Sequence, residues 1–126
     1  MIRFVKKYFL SISVILLILI LSFMSAEQLP ESPEDNFDKV VHIFMYLGLS
    51  GIIFFDGTNY FRHSINRKWI FYSILIFPIM FGGIIELMQE YFTTTRTGDW
   101  FDFLFNVIGS FFGWVGALLI NRFLYN

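Results

Sequence analysis

Four apolar runs, each close to the length that crosses a bilayer and each bounded by clustered charge, constrain this chain more than any other feature. They read at roughly 8–24, 40–55, 69–85 and 103–120, near the lower end of the ~17–25 residues needed to span a hydrocarbon core. Charged residues are 15% of the chain and gather between these runs, rather than alternating with apolar positions as on a soluble amphipathic helix. With 56% hydrophobic residues in 126, a soluble core of that size could not hide the apolar side chains. The reading is an all-α integral membrane four-helix bundle in one domain, residues 1–126, multi-pass in the cell membrane.

Lys and Arg decide the orientation. Arg3, Lys6, Lys7, Arg62, Arg67, Lys68 and Arg122 fall on one side, leaving Lys39 and Arg96 on the other. The bias predicts cytoplasmic N- and C-termini. The opposite loops carry nine of the ten acids, with Asp56 alone on the basic side. A cleaved signal peptide is the competing reading of the first run, but Phe23-Met24-Ser25-Ala26 lacks small residues at both key cleavage positions. The run is therefore read as a retained helix. A net charge of −1 without a concentrated basic face excludes a nucleic-acid partner, and the absence of cysteine excludes disulfides and thiolate chemistry.

Inside the runs, Pro78 is expected to kink the third helix or to open a backbone carbonyl that neighbouring helices cover. Gly109 and Gly113 form a GxxxG pair that permits close helix approach. That pair serves either packing within one chain or an oligomer.

Depth makes the polar residues informative, because an ionisable group within a span needs a partner or water. Asp38, His42 and Tyr46 follow at i, i+4 spacing on the second helix. The third helix is expected to finish near Glu86, Gln89 and Glu90, and the fourth to start near Asp99 or Asp102 with Asn106 one turn below. All three sets reach the exoplasmic end, where His42, Glu86, Asp102 and Asn106 would share a pocket under the loop carrying Arg96. Plainer roles stand beside this one. Asp99 and Asp102 suit a helix cap, Asp38 and Lys39 suit interfacial anchors, His42 suits a buried imidazole on a carbonyl, and Gln89 and Asn106 suit interhelical hydrogen bonds. Glu86 resists a plain role, since a carboxylate near a helix C-terminus opposes the dipole and needs a cation, a metal or a proton.

Asp38-Lys39-x-x-His42-x-x-x-Tyr46, Glu86-x-x-Gln89, Arg96 and Asp102-x-x-x-Asn106-x-x-Gly109-x-x-x-Gly113 together resemble the VanZ-like family of membrane proteins. The resemblance covers about 38–116. It departs at Thr93-Thr94-Thr95, where a proline would be expected before Arg96. It implies a four-helix membrane protein, similar to a family named for a glycopeptide-resistance determinant whose founding member lowers susceptibility to teicoplanin, a lipid-tailed glycopeptide. Many relatives lie outside resistance clusters, so the likeness alone does not assign resistance.

Three functions follow as expectations. The first is action on, or binding of, a cell-envelope lipid, a lipid-linked precursor or an amphiphilic lipoglycopeptide at the exoplasmic face. His42, Glu86 and Asp102 would be the catalytic set, and Asp38, Lys39, Tyr46, Gln89, Arg96 and Asn106 would line the substrate site. A divalent metal on His42, Glu86 and Asp102 is an open cofactor reading, without paired-His spacing such as HExxH to support it. The second is a non-catalytic accessory protein that holds a membrane lipid. A proton-coupled transporter ranks last, since the cytoplasmic half offers no line of ionisable residues to meet the pocket.

Overall fold

Apolar sequence in lipid must satisfy its backbone hydrogen bonds internally, and the helix does so within one segment. The computed structural model describes residues 2–23, 37–58, 65–92 and 100–125, and every regular element among them is helical. These are α1 (Ile2–Lys7), α2 (Phe9–Phe23), α3 (Phe37–Gly57), α4 (Arg67–Ile70), a π-helical stretch (Phe71–Ile76), α5 (Phe77–Phe92) and α6 (Trp100–Tyr125). Three helices, counting 67–91 as one, are long and apolar enough to cross a membrane; α2, also apolar, has 15 residues. Only 33, 39 and 28% of the three windows is buried within the chain, so most of their apolar surface is matched by hydrocarbon rather than protein. Phe44, Met80, Ile84, Phe112 and Leu119 are among the large side chains left outward.

The helices overrun their apolar cores. The second span begins at Phe37 and ends at Gly57, beyond the expected 40–55, and the last occupies Trp100–Tyr125 rather than 103–120. The third continues to Phe92, past the expected limit of 85. Polar flanks extend a helix readily, because the next N–H finds its carbonyl whether or not the side chain is apolar. This corrects the view of Glu86. It lies more than one turn before the end of α5, where the C-terminal dipole has largely faded.

Pro78 produces the main irregularity. Proline has no N–H for the carbonyl four residues back and its ring crowds that carbonyl. The helix responds by widening just before it, with the Phe77 N–H donating to Tyr72 C=O across five residues. The carbonyl that an N–H at 78 would have served belongs to Ile74, and the Ser50 hydroxyl of α3 donates to it at 2.9 Å. A neighbouring helix covers the freed carbonyl, as the sequence predicts.

α3 and α6 form the most extensive helix pair, with α5 against α6 and α2 against α3. Their closeness depends on the GxxxG pair. A Cβ at Gly109 would collide with the Ile43 backbone oxygen, and one at Gly113 with the Ser50 Cβ. Within this chain the glycine face is thus occupied by α3. Ile18, Tyr46, Leu49, Ile53, Phe54, Ile70, Ile74, Ile85 and Ala117 make up the buried apolar core.

Both ends of the bundle are tied by polar contacts. Gln89 of α5 donates to the Ser22 carbonyl at 2.8 Å, meeting one of the last-turn acceptors of α2. At the other end, Asn121 of α6 exchanges two 3.1 Å hydrogen bonds with the Ile65 backbone. Asp56 there accepts from both the amide and the hydroxyl of Ser11. The chain therefore enters and leaves at the Asp56 end, with His42, Glu86 and Asp102 at the opposite end.

Candidate functional site

The site rises from one face of α3 and the facing surfaces of α5 and α6. His42 and Tyr46 are one turn apart on α3, so they project the same way. Asp102 and Asn106 repeat that spacing on α6, and Gly82 and Glu86 repeat it on α5. Since α3 and α6 are the closest pair, their polar residues meet directly. The His42 Nδ1 and Asn106 Oδ1 are 2.7 Å apart, and the His42 Nε2 lies 3.6 Å from an Asp102 carboxylate oxygen. With Nδ1–H donating to the amide oxygen, Nε2 is the ring atom turned toward the carboxylate.

Burial divides the group into two levels. His42 and Asp102 are about one-fifth exposed, at 20% and 21% of their side chains. Beneath them Asn106, Tyr46 and Glu86 are buried, Glu86 to 3%. The absence of a side chain at Gly82 permits this crowding. A Cβ there would stand 3.0 Å from the Asn106 Nδ2 and 3.2 Å from the Tyr46 hydroxyl.

The chemistry follows from those two levels. At 3.6 Å the His42–Asp102 contact is an ion-pair distance, longer than a hydrogen bond. The ring nitrogen and the carboxylate face one another where both are partly open, so either can exchange a proton with a bound group. Such a pair can give up or receive a proton at an accessible position, while Asn106 fixes the ring orientation. Asp102 also lies in the first turn of α6, where the dipole favours its negative charge. The capping and pocket roles are thus compatible in one residue.

Of the other residues singled out by sequence, Gln89 is buried, and its amide N–H serves Ser22 of α2. This is the interhelical role considered for it. Glu90 is exposed and does not share the buried face of Glu86 and Gln89. Asp38 and Lys39 fall in the first turn of α3, with side chains outside the described residues, and Arg96 and Asp99 lie outside them altogether. Among the described residues no three His, Asp or Glu side chains gather to hold a metal ion.

Sequence reasoning missed Asp56, which it placed with the loop charges. The carboxylate is 1% exposed, with one oxygen on Ser11 and the other, Oδ1, buried without a hydrogen-bond partner. An acid in the last turn of an apolar run was the available signal. Such a residue opposes its own helix dipole and is tolerated here because it meets the positive first turn of α2. Ser50 and Asn121 were missed for a different reason: each acts on a backbone group of a distant segment, and neither forms part of a motif.

The family model described as VanZ/LLP1 matches residues 3–121 of the chain. No curated protein matches. No solved structure matches either.

Proposed function

The chain belongs to the VanZ/LLP1 family, and from that premise we propose that it binds, and acts on, an amphiphilic cell-envelope molecule at the exoplasmic boundary of the membrane. The ligand class is a lipid, a lipid-linked precursor or a lipid-tailed glycopeptide. The His42–Asp102–Asn106 constellation carries this reading: a proton-exchanging pair, partly open, at the end of a bundle whose outer surface is hydrocarbon-facing. A ligand held there keeps its apolar tail in the lipid and brings its polar head to His42.

In the catalytic form, a hydroxyl of the bound head passes its proton to His42 Nε2. The resulting imidazolium lies against Asp102, with Nδ1 still donating to Asn106. Buried Glu86 lies beneath the pair. Arg96, by its place in the sequence just before α6, is assigned to an anionic group of the head. Exoplasmic placement rests on the Lys/Arg bias, and a link to teicoplanin-type resistance belongs to this proposal as one of its outcomes.

A non-catalytic holding role is favoured by a specific observation. Gln89 and Asn106 both use polar atoms to fix the bundle itself, leaving few groups to drive chemistry. One experiment separates the two forms. The full chain is purified from membranes in mild detergent, and co-purifying molecules are identified by mass spectrometry for wild type, His42→Ala and Glu86→Gln. The catalytic form predicts a chemically altered product with wild type and unaltered ligand with either variant. Unaltered ligand on wild type supports holding alone. A wild-type protein that retains no amphiphile refutes both.

A further inference from the structure

At the end of the bundle opposite His42, two arginines from different helices open onto one recess. Arg67 begins α4 and Arg122 lies in the last turn of α6; with Leu118 and Leu119 they line a half-open recess of about 230 Å³. Both arginines are exposed, and neither is in an ion pair among the described residues. Asp56, the acid described at this end, is committed to Ser11 of α2.

The recess is held in shape. Asn121, next to Arg122, donates to the Ile65 carbonyl and accepts from the Ile65 amide, both at 3.1 Å. Asn66 then caps α4 by accepting from the Lys68 amide at 2.8 Å. These contacts pin the segment carrying Arg67 against the end of α6. On α6, residues 118 and 122 are one turn apart and 119 lies three before 122, so two leucines continue the arginine's face toward the centre of the span.

Two guanidiniums over an apolar wall match a phosphate on an acyl chain. A guanidinium binds phosphate oxygens in a bidentate fork and carries its charge at every accessible pH. Positive groups at the headgroup level are drawn to anionic lipid, and the leucines offer the first methylenes of the chain a continuous path. A free phosphate would use the arginines and leave the leucines without a role. We infer that Arg67 and Arg122, clamped over Leu118 and Leu119, form a binding site for the headgroup phosphate of an anionic phospholipid. This site is separate from the His42 pocket and stands whether or not that pocket turns over a ligand.

The test uses the full chain in detergent, titrated with phosphatidylglycerol, phosphatidylcholine or inorganic phosphate, with retained lipid counted by native mass spectrometry. Wild type retains phosphatidylglycerol over phosphatidylcholine. Arg67→Gln and Arg122→Gln each weaken that retention about fivefold, and together roughly thirty-fold. Lys68→Gln removes a charge that is also exposed but does not line the recess and should change retention less than about twofold. Equal losses in all three variants would reduce the effect to general surface charge and overturn the site. Competition by millimolar inorganic phosphate as effective as by lipid would make it a free-anion site and equally overturn the proposal. Should the double variant fail to fold, the preference of wild type for phosphatidylglycerol decides, and its absence refutes the site.

Discussion

The Ser50 hydroxyl donates to the Ile74 carbonyl at 2.9 Å, supplying from α3 the hydrogen bond that Pro78 withholds within its own helix. The proline thus widens the helix into a π-helical stretch without leaving the freed acceptor unmet. Ser50→Ala should destabilise the bundle by about 1–2 kcal/mol, the cost of orphaning a buried carbonyl. In a Pro78→Ala background, position 78 regains an N–H and the same substitution should cost less than about 0.5 kcal/mol. SDS-driven unfolding of the four proteins of this cycle measures the coupling; equal costs in both backgrounds would break the link between the two residues.

Asp56 holds α2 to α3 through both Ser11 hydrogen bonds at 2.8 Å. Asp56→Ala leaves the Ser11 amide without its acceptor and is expected to loosen α2 by about 2–3 kcal/mol. Asp56→Asn keeps one acceptor and should recover roughly half of this. Hydrogen exchange by residue resolves the effect: amides of 9–15 should exchange faster while those of α6 stay protected. Uniform acceleration along the whole chain would mean that Asp56 supports the fold globally.

The two contacts of His42 differ in strength. The 2.7 Å contact with Asn106 is buried on the amide side and should show a coupling of about 1 kcal/mol in a His42→Ala, Asn106→Ala cycle. The 3.6 Å pair with Asp102, partly open to solvent, should show less than about 1 kcal/mol of coupling in stability. In ligand retention the order reverses, because Asp102 governs the proton at Nε2. A stability coupling for Asp102 above that for Asn106 would contradict the geometry.

Two glycines on α6 form a matched pair. Gly109→Ala drives a methyl into the Ile43 backbone oxygen and should cost about 1–3 kcal/mol. Gly116→Ala meets nothing within 4 Å and should stabilise by roughly 0.5–1 kcal/mol through helix propensity. Thermal unfolding of both variants compares them directly, and a similar loss in each would show that packing against α3 does not set the requirement for glycine.

Much of the site was legible because helical spacing carries depth. His42, Asp102 and Asn106 could be set at one level from their distances to the ends of their apolar runs, and the structure brings them within contact. Glu86 and Tyr46 reach the same end for the same reason. Gln89 and Glu90, by contrast, were grouped with Glu86 on spacing alone. The packing of α2 on one side of α5 draws Gln89 toward Ser22 and leaves Glu90 outside, which no periodicity within α5 could specify.

The sequence by itself determined the solvent, the helices and the end at which the polar residues collect, since these follow from run length, hydropathy and the rise of the helix, all local quantities. It also announced a freed carbonyl at Pro78, because that vacancy is written into one residue's missing N–H. Tertiary structure alone decided who answers it. Ser50 on Ile74, Ser11 on Asp56 and Asn121 on Ile65 join residues 24, 45 and 56 positions apart. In each, a side chain meets a backbone group that is available only where a helix starts, ends or is interrupted. Their partners depend on how the helices rotate and approach one another, with Gly109 and Gly113 admitting α3, and such three-dimensional complementarity has no period in the chain.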